Sequence, residues 1–186
     1  KTVPEFVAYL KANPDKLSFG SPGVGTSVHV SGELFKSMTG TKMTHVPYKG
    51  RQFAIPDLIG GSIQLMFDNM PSALPMSKEG KIRAIAVTTA KRSAAAPDIP
   101  TVAESLPGFE ATTWFAMFAP AGTPKAVVDR LAAGMAEVSK DATFLDRTKS
   151  FGIVATARGP KDFAAFIKSE VDTNVALLKD AGYKPE

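Results

Sequence analysis

The chain has no cysteine among its 186 residues, and only two histidines and one tryptophan. The missing thiols exclude disulfides, thiol catalysis and thiolate metal sites, while leaving the cellular compartment open. His29 and His45 have no carboxylate or second histidine at metal-ligand spacing, so neither a metal nor any other cofactor is expected. No apolar run reaches the roughly 18 residues of a membrane-spanning helix. Charge of one sign is never gathered into a block. Lys and Arg are scattered and not interleaved with aromatics, so the net charge of +4 argues against nucleic acid and at most helps to draw in a small anion. What is present is ordinary for a globular protein, with 44% apolar and 22% charged residues. The length suits one well-buried domain, or a domain and part of another.

Residues 1–6 show neither an apolar signal core nor a cleavage site. Thr2 and Glu5 instead make a capping box, so the chain opens on the first turn of a helix over 3–12. Hydrophobic spacing then predicts strands at 17–20, 43–48, 63–67 and 82–88. Between them it predicts helices at 28–38, through Ala54 to Ile59, and at 70–79. Strands alternating with helices imply a mostly parallel sheet covered by helices, with ligands bound beyond the carboxyl ends of the strands. Pro- and Gly-rich punctuation at 97–100 and 106–108 precedes an aromatic strand at 112–120. Trp114 and Phe115 in it are expected to pack rather than bind. Thr123 is read as a cap with Pro124 at the first helical position. Helices at 124–140, 142–151 and 160–181, with a brief strand at 153–157, leave too little sheet after residue 117 to cover them. That region is expected to pack on something outside this chain.

Ser18-Phe19-Gly20-Ser21-Pro22-Gly23-Val24-Gly25-Thr26-Ser27-Val28-His29 reads as a strand passing through a Gly/Ser/Thr loop into a helix. The first amides of a helix lack partners inside it and the dipole is positive there, so a carboxylate or phosphate suits the junction. Gly23 and Gly25 permit close approach, and Ser21, Thr26 and Ser27 supply hydroxyls or caps. No Gly-Lys-Ser/Thr closes the loop, and Gly20-x-x-Gly23-x-Gly25 misses the dinucleotide spacing. A plain capped turn fits the segment equally well. Two more polar loops, 48–51 and 68–72, follow predicted strands and can converge on the same crevice, which brings in Tyr48, Asp68 and Asn69. Tyr48 is either a ligand contact or a rim aromatic. His29 either faces the groove or packs on its helix, where Glu33 one turn later can orient its ring. No nucleophile elbow or paired acid and base completes a catalytic set. An enzyme of small carboxylate or phosphate metabolism, using 20–27 as an anion cradle, stays the alternative to a binding protein.

Taken in order, these segments resemble the extracytoplasmic solute receptors of tripartite tricarboxylate transporters, the Bug or TctC family. The resemblance is carried by Phe19-Gly20-Ser21-Pro22-Gly23-Val24-Gly25-Thr26 with His29 and Gly32-Glu33-Leu34-Phe35, and by His45-Val46-Pro47-Tyr48-Lys49-Gly50. It continues through Asp57-Leu58-Ile59-Gly60-Gly61, Phe67-Asp68-Asn69, Ile82 to Thr88, Pro100-Thr101-Val102-Ala103-Glu104, Pro107-Gly108-Phe109-Glu110 and Phe118 to Pro124. It implies an α/β, periplasmic binding protein-like fold of type II, with a mostly parallel sheet flanked by helices. Residues 1–116 would be one complete lobe, and 117–186 the helix-rich C-terminal part of the other. The N-terminal portion of that other lobe, with its own anion loop, would precede Lys1. The implied function is capture of a small carboxylate or related anionic solute in the periplasm, after removal of a signal peptide. The receptor would be a monomer that delivers its solute to integral membrane subunits and is not an enzyme. The residues so implicated are Ser21, Gly23, Gly25, Thr26, Ser27, His29, Tyr48, Asp68 and Asn69.

Overall fold

The computed structural model describes residues 1–156 and 158–183. Three short parallel strands, β1 (Ser18–Ser21), β2 (Thr44–Pro47) and β3 (Leu65–Met66), lie in the order β2-β1-β3. β1 is central, with Phe19 opposite His45 on one side and Leu65 on the other. Each strand leads towards a helix: α2 (Ser27–Thr39), α3 (Arg51–Gly60) and α4 (Met70–Lys78) follow β1, β2 and β3 in turn. The parallel connections therefore bring three loops to the carboxyl end of the sheet. α1 (Val3–Ala12) precedes the sheet and starts in the expected capping box of Thr2 and Glu5.

The core joins α1, β1, α2 and the 102–109 segment through Val3, Leu10, Phe19, Phe35, Met43, Val102 and Phe109. Apolar positions spaced at helical periods on α1 and α2 place their buried stripes against Phe19. α2 approaches β1 closely at Gly32, where a Cβ would collide with the Phe19 ring. At its far end α2 stops at Gly40, whose left-handed φ of 63° lets its N–H return to the Lys36 carbonyl.

Beyond α4 the structure departs from several sequence expectations. No strand forms over 82–88; Val87 makes a single parallel bridge to Thr101, and the Ala111 N–H donates to the Thr88 carbonyl. Strand-forming side chains need a neighbouring strand to become a ladder, and 82–86 has none. The same reason applies to 112–120, which forms no ladder. Residues 153–156 are also irregular, and Ala157 of that expected strand lies outside the described residues. A short 3₁₀ turn, Val102–Glu104, is closed by a second capping box, Thr101 with Glu104, which the hydrophobic pattern did not reveal. α5 (Lys125–Val138) takes Pro124 itself as N-cap, because the Thr123 hydroxyl donates instead to the Pro120 carbonyl at 2.8 Å.

α5, α6 (Ala142–Ser150) and α7 (Pro160–Asp180) bury none of their described residues. Trp114 packs edge-on against Phe163 and Phe166 of α7 and donates its indole N–H to Glu170 at 3.1 Å. Its neighbour Phe115 remains exposed. No helix of the described residues is long and apolar enough to cross a membrane.

Gly32→Ala sets helix propensity against packing. Alanine favours the helix by up to about 1 kcal/mol, but overpacking against Phe19 costs about 1–3 kcal/mol. Urea unfolding should therefore show a net loss of stability, whereas an unchanged or raised midpoint would mean that the ring gives way freely.

Candidate anion-binding site

The loop between β1 and α2 is shaped by its glycines. Gly25 has φ 78°, a left-handed value that side chains resist, and a Cβ placed there would meet nothing within 4 Å. The backbone at this point thus faces open space. Thr26 is the N-cap of α2: its Oγ1 accepts from the His29 N–H at 3.5 Å and donates to the Gly23 carbonyl at 2.8 Å. The Thr26 N–H also reaches the Gly23 carbonyl. Of the four orphan amides at this helix end, Ser27 and Val28 then remain as donors for something outside the helix.

Ser27 does not stand alone. Its hydroxyl is 2.9 Å from Thr113 Oγ1, which is also 2.9 Å from Asn69 Oδ1. The single Thr113 hydroxyl proton is thus within donating reach of both Ser27 Oγ and Asn69 Oδ1. Asn69 is the N-cap of α4 but makes no side-chain cap bond. The chain Ser27–Thr113–Asn69 therefore ties together the N-termini of two helices that follow adjacent strands, each carrying about half a positive charge.

Under the loop lies a stack of aromatic rings. His29 is fully buried and its ring lies 3.9 Å, centroid to centroid, from that of His45, with the Phe19 ring 4.8 Å from His45 and 6.4 Å from His29. The Gly25 N–H donates to His29 Nδ1 at 3.0 Å. The neutral ring must then carry its proton on Nε2, which is buried without a hydrogen-bond partner among the described residues and 3.7 Å from Glu33 Oε1. His45 Nε2 is hydrogen-bonded to Ser21 Oγ at 2.7 Å, and its Nδ1 is 3.3 Å from the Tyr183 hydroxyl. Ser21 Oγ also accepts from the Gly23 N–H at 3.2 Å.

Burial opposes ionisation of Glu33, but His29 and Lys36 outweigh it and hold the carboxyl below its usual range. Lys36 Nζ is 2.8 Å from that carboxylate. Burial lowers His45 to about 4, with His29 and Lys36 adding to the effect against the opposing pull of Glu33. Burial, with Glu33 nearby, raises Tyr183.

The expected site residues thus fall into three groups. Gly23, Gly25, Thr26, Ser27 and Asn69 are brought together at the open end of the sheet. Ser21 and His29 are fully buried and hold the loop from beneath. Tyr48 and Asp68 are engaged elsewhere. The Tyr48 hydroxyl donates to Asp57 at 2.7 Å, which pushes its ionisation up to about 12, and Asp68 forms a two-pronged ion pair with Arg51 at 2.7–3.0 Å. Thr113 and Tyr183 escaped the sequence reading, and Arg51 was read only as the end of the 48–51 loop and not as the partner of Asp68. Thr113 lies 44 residues from Asn69; Arg51 and Tyr183 carry no motif.

A family model described as the tripartite tricarboxylate transporter family receptor matches residues 1–183. The chain belongs to that family. It is 36% identical over 186 residues to a UPF0065 protein of Agrobacterium vitis, covering 98% of this chain and 54% of that protein. The structure of R. palustris Rpa4515 with adipate superposes with a TM-score of 0.93 at 34% identity, over 100% of this chain and 62% of that one. MatC from Rhodopseudomonas palustris with bound malate matches with a TM-score of 0.86 at 28% identity, over 95% and 62% respectively. The chain spans about half the length of the curated relatives it matches. Its fold is α/β and periplasmic binding protein-like, as these neighbours are.

The lowered His45 sets a pH dependence. An unfolded chain takes up this proton near the ordinary histidine value of 6.5, whereas the folded chain resists it until about 4. Between those values the unfolded state binds more protons, so stability falls as the pH drops through this window and is fully present above it. Discounted for partial solvent exposure, the loss is about 1–2 kcal/mol. His45→Phe, which keeps a ring in the stack, should flatten that part of the curve of denaturation midpoint against pH.

Proposed function

We propose that this receptor-family chain supplies one jaw of a periplasmic binding site for a small carboxylate-bearing solute. The observation that carries the reading is the convergence of the α2 and α4 N-termini on the Ser27–Thr113–Asn69 hydroxyl and amide chain. A carboxylate placed there would accept from the Ser27 and Val28 amides and displace or bridge the hydroxyls. That the neighbouring structures were obtained with adipate and with malate supports a carboxylate over a phosphate. Residues 1–116 form one lobe on this reading, and 117–186 belong with the other. The apolar side chains left exposed on α5, α6 and α7, among them Leu131, Met135 and Leu145, support that division. A ligand held between two lobes favours the closed form through its extra contacts there. The closed receptor would then hand its solute to the membrane subunits of a tripartite transporter. The burial of His29, and of Ser21 beneath the loop, weighs against the enzyme alternative, since neither group reaches a bound anion.

Titration calorimetry of the full-length protein against mono-, di- and tricarboxylates, adipate and malate included, tests the reading. Binding of at least one di- or tricarboxylate is expected, and turnover or silence across the panel would overturn it. Ser27→Ala combined with Thr113→Ala should weaken binding about tenfold or more, since hydrogen bonds to a charged group contribute about 1.5–3 kcal/mol each. Thermal stability should stay near wild type. Thr26→Ala is a poorer probe, because losing an N-cap alone costs about 1 kcal/mol of stability.

A further inference from the structure

We propose that His29 is a positioning residue for the anion loop: as a neutral ring it holds the Gly25 N–H at Nδ1, and a proton at that atom unlatches the loop. The inference rests on reading 21–27 as the anion seat, and it assigns a role to a residue that no anion can touch. His29 is fully buried, and among the described residues its ring makes one hydrogen bond, accepted from the loop backbone at 3.0 Å.

The stereochemistry leaves one neutral arrangement. Nδ1 accepts from Gly25, so the proton sits on Nε2. A second proton can add only at Nδ1, and there it would point at the Gly25 N–H. Two donors would then face each other at hydrogen-bond distance, and the amide would have to turn away. Gly25 is the residue at which such a turn is easiest, being glycine at φ 78° with open space on its Cβ side. The change would pass directly to Thr26 and Ser27, which cap and start α2.

The groups facing the ring come from four elements. Glu33 and Lys36 lie on α2 itself, His45 comes from β2, Ser21 from β1, and Tyr183 from the segment after α7, with its ring edge-on to His29 at 4.5 Å. Of these, Glu33 alone favours a charged His29, and the Lys36 ion pair partly neutralises it. His45 stacked at 3.9 Å disfavours two simultaneous charges. His45 also holds the other end of the loop, through Ser21 and the Gly23 N–H. The two rings therefore latch the loop at both Gly23 and Gly25, and the His29 latch is the one that a single proton must break. At His45 a second proton leaves a partner able to adapt, because the Ser21 and Tyr183 hydroxyls can each rotate to accept.

Ring-nitrogen NMR of the ¹⁵N-labelled protein reads the proposal without any ligand, with the His29 and His45 signals assigned by their loss in His29→Asn and His45→Phe. At neutral pH His29 should show the Nε2–H tautomer with a hydrogen-bonded Nδ1. As the pH is lowered, the Gly25 amide should lose its downfield shift in step with protonation of His29. An Nδ1–H tautomer at neutral pH, or a Gly25 amide indifferent to that protonation, overturns the proposal. Adipate binding supplies the second arm. His29→Asn, whose Oδ1 can stand near the position of Nδ1 but cannot be protonated, should bind adipate within about threefold of wild type and lose the fall in affinity at acid pH. His29→Leu should bind about tenfold or more weakly, the loss of one loop hydrogen bond. An Asn variant that keeps the wild-type pH profile overturns the proposal. If adipate is not a ligand or the Leu variant does not fold, the ring and amide signals of the wild-type protein still decide.

Discussion

The carboxyl end of this sheet depends on two imidazoles stacked face to face beneath a glycine loop. Through them four separate parts of the chain meet: Ser21 at the end of β1, His29 on α2, His45 on β2 and Tyr183 beyond α7. A loop built from Gly, Ser and Pro has much conformational freedom, which it would have to surrender each time it bound. Fixing the Gly23 and Gly25 amides from below removes that freedom in advance, so the outward-facing amides of α2 are already aimed. Phe19, near-parallel to both rings, links them to the core.

The positive field above the loop comes from the backbone rather than from side-chain cations. Arg51 is held by Asp68, and Lys36 by Glu33, so two nearby positive charges are each balanced by a carboxylate that is almost wholly buried. What remains unbalanced is the pair of helix N-termini at Ser27 and Asn69, with about half a charge each and oriented N–H groups. Two such ends suit one carboxylate: they supply directed donors, and they attract an anion less indiscriminately than a free lysine would.

Much of this was legible in the sequence, for local reasons. Capping at Thr2, the glycine stops after α2 and α3, and the apolar spacing of α1 and α2 all act within a few residues. The anion loop was legible for the same reason, because strand, glycines and N-cap are contiguous. What failed was whatever needed a distant partner. The 82–88 run has every local property of a strand, yet a strand exists only when another lies beside it, and Val87 finds just one bridge. Thr113 is a lone polar residue in an aromatic stretch until the chain brings it between Ser27 and Asn69. Topology put Tyr48 and Asp68 in the loops after β2 and β3, but no sequence pattern announced that Asp57 and Arg51 would engage them. His29 was read as either facing the groove or packing, and the structure shows it packed and still hydrogen-bonded to the loop.

The long helix α7 makes the two halves of the site mechanically dependent. At 21 residues it is a rod of about 31 Å. Phe163 and Phe166 near its start grip Trp114, the residue after Thr113, while Tyr183 just past its end lies against both histidine rings. One end of the rod therefore sets the hydroxyl chain above the loop, and the other sets the ring stack below it. A helix resists bending far more than its side chains resist a change of rotamer, so a tilt of α7 against α2 must shift Thr113 and Tyr183 together. Although α7 has no fully buried residue of its own, it packs against α2, and these end contacts add to that packing in locating it. Whatever fixes the rod in place thereby also sets the height of the hydroxyls above the amides that would receive a carboxylate.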